Sequence, residues 1–136
     1  MKHVQTVNLP PRALFNRLMH SVQADIRQHT ALTPPVSRLQ GFEYTKPLGQ
    51  TQSRIRISVV VPGQTYAYTA MAGGATYAVS YQLVPTADGQ TQVTYTESTQ
   101  FADRIRQLNA TVVGVLLGRG RKRRVSQLLH AIEATN

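Results

Sequence analysis

Apolar residues recur along this chain in two rhythms, a helical one before Gly41 and an alternating one after it. At about 100° per residue, Leu14, Phe15, Leu18, Met19, Val22 and Ile26 fall on one face, opposite Asn16, Arg17, His20, Gln23 and Arg27. This spacing predicts a helix over about 11–29 with one face buried. Asn8-Leu9-Pro10-Pro11 reads as its start, with Asn8 or a neighbour near the cap and proline tolerated in the first turn. Thr33-Pro34-Pro35 ends it or separates it from a second short turn, because proline excludes the helical conformation from the residue before it. Ahead of the helix, Val4 and Val7 among small polar residues suggest a short first strand.

After Gly41 the period is two. Phe42 to Lys46 is a short strand closed by Pro47, and Arg54 to Val59 alternates with Ile55, Ile57 and Val59 on one face and both arginines on the other. Tyr66 to Met71 is the next strand, and Gly73-Gly74 is a hairpin signal. Tyr77, Val79, Tyr81 and Leu83 then alternate with small or polar residues; Asp88-Gly89 marks another turn, and Val93 to Ser98 completes a meander. Strands joined by such short turns pair antiparallel with their chain neighbours.

The final third is helical. Ile105, Leu108, Val112, Val113, Val115 and Leu116 form one stripe, and Asp103 near the start suits the helix dipole. Past Gly118-Arg119-Gly120, a second stripe of Val125, Leu128, Leu129 and Ile132 falls about 180° from the first on a straight helix. A straight helix cannot bury both in one sheet. Either the glycines break or kink it, or the second stripe meets another surface, which makes a homodimer through Val125, Leu128, Leu129 and Ile132 a candidate. Gly114 and Gly118, four residues apart, leave one side of this helix open to close approach. The expected class is α+β: about six antiparallel strands, a helix after the first, a long C-terminal helix, and one domain over 1–136.

Composition changes this picture in two ways. The 136 residues contain no cysteine, so hydrophobic packing must stabilise the core without disulfides or thiolate metal sites. No run approaches the ~20 apolar residues that a membrane span needs, and the first residues lack a signal-like apolar segment, so a cytoplasmic protein is expected. Fifteen Lys and Arg against six Asp and Glu give a net charge of +9, a balance that favours polyanions. Five of those basic residues lie between Arg119 and Arg124.

The element order, together with the Asn8-Leu9-Pro10 opening of the first helix, Gly41-Phe42-Glu43-Tyr44 opening the meander and Thr94-Tyr95-Thr96-Glu97 before the last helix, resembles the START-like or SRPBCC helix-grip superfamily. That superfamily includes polyketide cyclases, lipid-transfer domains and pollen allergens. Within it the chain looks most like small bacterial members grouped as a domain of unknown function. The resemblance spans nearly the full length and implies a curved sheet wrapped around the C-terminal helix, with a cavity between them for an apolar ligand. Six strands, where the superfamily usually has seven, imply a small or closed cavity. A cystatin-like cone leads with its helix and ends on strands, the reverse of this chain.

Tyr77 and Tyr81 share a strand face with Val79 and Leu83, as Tyr95 does with Val93 and Glu97. If these faces point toward the helix, their hydroxyls and the Glu97 carboxylate would be polar anchors in an apolar pocket, with Val112 and Leu116 on the helix side. Tyrosine also fills strands for packing alone, with its hydroxyl at the rim. Glu97 could serve as an acid or base in a cyclase-like enzyme, or sit at an exposed strand end paired with an arginine. Arg119, Arg121, Lys122, Arg123 and Arg124 could contact phosphates, or could simply keep a helix end soluble. The run lacks the interleaved aromatics of single-strand readers, which disfavours nucleic acid.

His3, His20, His29 and His130 show no metal-ligand spacing, and neither a nucleophile elbow nor a phosphate loop is present, so no metal, cofactor or catalytic set is implied. The leading expectation is a non-catalytic domain binding a small apolar or lipid-like ligand between the sheet and a helix from about 102–117. The alternatives are an interaction module whose basic C-terminal helix binds an acidic partner or nucleic acid, and the cyclase-like enzyme.

Overall fold

The computed structural model describes residues 1–101 and 121–134. Strand β1 (Lys2–Val7) leads into helix α1 (Pro11–Thr30) and a 3-10 turn (Val36–Arg38). The meander follows as β2 (Glu43–Leu48), β3 (Thr51–Val61), β4 (Thr65–Ala72), β5 (Ala75–Pro85) and β6 (Thr91–Phe101), and α2 (Arg121–Ala134) closes the described chain. Each meander strand pairs antiparallel with its chain neighbour. β1 lies at the far edge beside β6, so the order is β1-β6-β5-β4-β3-β2 in one curved six-stranded sheet. Gly73 and Gly74 both take positive φ, 58° and 78°, and join the paired Ala72 and Ala75 through a two-residue turn that suits the strands' twist.

The buried face of α1 is the predicted one: Leu14, Phe15, Leu18, Met19, Val22 and Ile26 all face the core. Asn8 is not its cap. Pro10 holds the cap position without a side-chain hydrogen bond, while the Asn8 amide donates to Glu133 Oε2 of α2 at 3.0 Å. At the other end Ala31 takes the left-handed conformation, and its N–H returns to the Arg27 carbonyl.

Two further expectations are corrected. The register of β3 against β4 shifts between Ile57 and Val59, so alternation breaks at Ser58. Ile55 and Ile57 are buried as predicted, but Val59 pairs with Ala67 on the outer face, and Val60, paired with Tyr66, packs against the core instead. The homodimer seam through the second stripe of the C-terminal helix is the other correction. Val125, Leu129 and Ile132 are 6%, 1% and 6% exposed within this chain's own core, while Leu128 alone stays 36% exposed. A stripe already buried against α1 and the sheet is not free to form the seam of a homodimer.

The stripe over 105–116, Gly114, Gly118 and the expected break at Gly118–Gly120 lie outside the described residues. What holds the described α2 is visible at its C-terminal end. The Arg17 guanidinium donates to the carbonyls of Ile132 and Glu133 at 3.0 and 2.8 Å, satisfying acceptors that a helix end leaves open. The core thus lies on one side of the sheet, between its concave face and the two helices.

Candidate functional site

Strand register assembles the site. Residues paired across antiparallel strands point to the same face, and the concave face collects the tyrosines in rows. Tyr66 of β4 pairs with Tyr81 of β5, which pairs with Tyr95 of β6. The next row runs Ile57, Tyr68, Val79, Glu97, and the one after it runs Tyr44, Ile55, Ala70, Tyr77. The rings touch along and across the rows. Tyr66 stacks on Tyr81 at 5.8 Å, Tyr81 meets Tyr95 edge-on at 5.0 Å, and Tyr66 tilts against Tyr68 at 5.7 Å. Such contacts add about 0.5–1.5 kcal/mol per pair beyond area burial.

Above this face lies a cavity of about 430 Å³, within the range of small-molecule sites. All six tyrosines of the chain line it. Leu18, Val22 and Asp25 of α1 and Arg124, Val125 and Leu128 of α2 supply other walls. Aliphatic and aromatic carbon dominates, and the polar groups are few and grouped.

One group sits at β2. Asp25 accepts the Tyr44 hydroxyl at 2.5 Å and the Lys46 ammonium at 2.9 Å, with His29 Nδ1 at 3.5 Å from its other oxygen. Burial pushes the Asp25 carboxyl up, but the hydrogen bonds from Tyr44 and Lys46, with the charges of Lys46 and His29, outweigh it and hold the group below its ordinary value. The other group sits at β6, where the Tyr95 hydroxyl donates to Glu97 Oε2 at 2.8 Å. Burial first, then neighbouring carboxylates or phenols, raises Tyr44, Tyr66, Tyr81 and Tyr95 above the ordinary phenol value. These four phenols are therefore neutral at physiological pH. They can hydrogen-bond a ligand, but they cannot act there as phenolate bases or nucleophiles.

Of the residues proposed from sequence, Tyr77, Tyr81, Tyr95 and Glu97 line this cavity. Val112, Leu116 and Arg119 lie outside the described residues, as do the side chains of Arg121 and Lys122. Arg123 and Arg124 are exposed, and Arg124 also lines the cavity, so the basic run reaches its wall. Sequence reasoning missed Tyr44, Tyr66, Tyr68, Asp25 and Lys46 as wall residues. A signal for three of them existed. Tyr66 and Tyr68 are two apart in one strand, and Asp25 continues the stripe of Leu18 and Val22 along α1. Among the described residues no group of three or more His, Cys, Asp and Glu side chains could hold a metal, and no helix is long and apolar enough to cross a membrane.

A family model for a domain of unknown function, DUF3284, matches residues 1–118. The chain belongs to this family. No curated protein matches the sequence. Solved structures resemble the DUF3284 chain over nearly its whole length. Protein BH1534 of Bacillus halodurans is 16% identical, with 97% of this chain and 96% of that one covered at a TM-score of 0.62. Ara h 8.0201 is 14% identical, with 98% and 93% covered at a TM-score of 0.59. The Aha1 dimer of Colwellia psychrerythraea is 14% identical, with 98% and 96% covered at a TM-score of 0.56. At these identities the likeness is one of fold. The six-stranded curved sheet with a helix after β1 and a C-terminal helix is the helix-grip α+β arrangement, consistent with an SRPBCC-like fold.

Proposed function

We propose that this DUF3284 domain is a non-catalytic binder of a small, largely apolar molecule, held between the concave face of the sheet and the helices. The observation that carries this reading is the convergence of all six tyrosines on one cavity of about 430 Å³. Tyrosines serving packing alone would close the space between sheet and helix. Here their rings and hydroxyls surround a volume fit for a ligand, beside aliphatic groups such as Leu18, Val22 and Val79. Apolar walls with a few grouped polar anchors are the general composition of small-molecule sites. The four raised phenols stay protonated at neutral pH and so can offer a ligand hydrogen-bonding hydroxyls.

Native mass spectrometry of the purified protein, followed by thermal-shift measurements across a panel of lipids and aromatic compounds, tests this directly. A co-purifying small molecule, or a shift of several degrees with one chemical class, is expected. Ala70→Trp, which projects bulk into the cavity, should abolish that shift while the unliganded protein still melts cooperatively. If no compound co-purifies and none in the panel shifts the transition, the ligand-binding reading fails.

A further inference from the structure

Among the described residues, four charged side chains line the cavity: Asp25, Lys46, Glu97 and Arg124. Three of them are engaged within the chain. Asp25 and Lys46 form an ion pair at 2.9 Å, and Glu97 accepts the Tyr95 hydroxyl among its interactions. Arg124 differs. Its guanidinium makes no hydrogen bond or ion pair among the described residues. Of the charges that these four bring to the wall, it is the one that no partner offsets.

Its place matters as much as its charge. Arg124 and Leu128 are four residues apart on α2, hence on one side of the helix, and both are exposed while lining the cavity. Val125, also on the wall, is buried. This turn of α2 is therefore where the cavity wall meets solvent. A guanidinium there offers a planar fork of N–H donors that fits a carboxylate with two parallel hydrogen bonds. A carboxylate at such a rim keeps much of its hydration, whereas one carried inward among the tyrosines would lose water and meet the Asp25 and Glu97 carboxylates. We propose that the ligand of this cavity is an amphipathic acid, with its carboxylate at the rim against Arg124 and its apolar body in the tyrosine-lined interior. A single guanidinium balances a single negative charge, which favours a carboxylate over a phosphate dianion. This deepens, and rests on, the small-molecule reading of the cavity.

Three compounds with one body test it: 6-phenylhexanoate, 6-phenylhexan-1-ol and 6-phenylhexylamine. Each is titrated at neutral pH into the full chain carrying 1-N-phenylnaphthylamine, an uncharged dye that fluoresces in apolar surroundings. The acid is expected to displace the dye with about fivefold higher affinity than the alcohol, and the amine to bind most weakly; the advantage is modest because Arg124 is exposed. Arg124→Gln should erase the acid's advantage and leave the alcohol's affinity within about twofold. Arg123→Gln removes the same charge one residue away, from an exposed side chain that does not line the cavity, and should preserve the advantage. An equal loss in the two variants, or an advantage that survives Arg124→Gln, overturns the seat at Arg124. Alcohol or amine binding as tightly as the acid overturns the acid and leaves the cavity reading standing, as does bound dye that none of the three displaces. If neither the dye nor any of the three binds, the proposal fails together with the cavity reading on which it rests.

Discussion

The two faces of β4, β5 and β6 are made by the same strands and differ in almost everything else. The concave face holds Tyr66, Tyr68, Tyr77, Tyr81, Tyr95 and Glu97, with their ring contacts and the Tyr95 to Glu97 hydrogen bond. The convex face presents Ala67, Thr69, Ala78, Ser80, Thr96 and Ser98, small and uncharged, around a second cavity of about 240 Å³. Residues one apart in sequence thus do unrelated work. In a chain with a net charge of +9, it is notable that the outward positions of these three strands carry no charged side chain. Aromatic bulk and titration are concentrated on the face that meets the helices, and the alternation of the strand is what separates them.

The sharpest way to break this contrast is a pair of neighbouring substitutions. Tyr81→Ala removes a 5% exposed ring that contacts Tyr66 and Tyr95, and should cost about 3–5 kcal/mol in urea unfolding. Gln82→Ala, one residue on and exposed, should stay within about 0.5 kcal/mol. Equal costs would mean that the concave face has no special standing. The same contrast recurs on α2. Leu129→Ala should cost about 2–5 kcal/mol, whereas Leu128→Ala should cost less than about 1 kcal/mol, because Leu129 is 1% exposed and Leu128 is 36% exposed. A larger loss at Leu128 that depends on protein concentration would restore a dimer through that side chain.

A smaller effect is expected from the contact that ties α2 to α1. Arg17→Met keeps much of the aliphatic stem but leaves the Ile132 and Glu133 carbonyls without the guanidinium, at a cost of about 1–3 kcal/mol. Amide exchange in α2 should then accelerate more than exchange in β5. Uniform acceleration would show that this end of the helix is held by packing alone.

Much of this architecture was legible in the sequence. The buried face of α1 follows from its 3.6-residue period, and the strand order follows from short turns, as with Gly73-Gly74 between Ala72 and Ala75. The failures share a physical cause, which is that local periodicity carries no information about partners. Nothing local marks the bulge at Ser58 that turns Val59 outward and Val60 inward. For the apolar stripe of α2, helical phase alone left open whether a break at the glycines or a second surface covers it, and the fold buries Val125, Leu129 and Ile132 in the chain's own core. Asp25 escaped notice as a polar residue in an amphipathic helix. Its role depends on Tyr44 and Lys46, 19 and 21 residues away, reaching it from β2. For the tyrosines, alternation placed Tyr77 and Tyr81 together, but gathering Tyr44, Tyr66 and Tyr68 beside them required the register of β2 and β4.

The smallest expected effect concerns titration, and it also separates the faces. Tyr66, Tyr81 and Tyr95 have folded values raised above the ordinary phenol value of 10.0, so the stability they contribute is fully present below that pH and is lost above it. Asp25 has the opposite sign. Its folded value lies below 3.8, so its contribution is present above the unfolded value and disappears as pH falls through the folded one. Asp25→Asn should therefore be less stable than the unaltered protein near neutrality, with the gap closing below about pH 4 as the native carboxyl takes up its proton. The outward positions of β4, β5 and β6 have nothing to titrate, so Thr96→Ser should run parallel to the unaltered protein at every pH. Urea unfolding measured from pH 7 down to about pH 2.5 checks both curves. A gap for Asp25→Asn that stays constant across that range would mean that Tyr44 and Lys46 contribute packing at Asp25 without stabilising its charge.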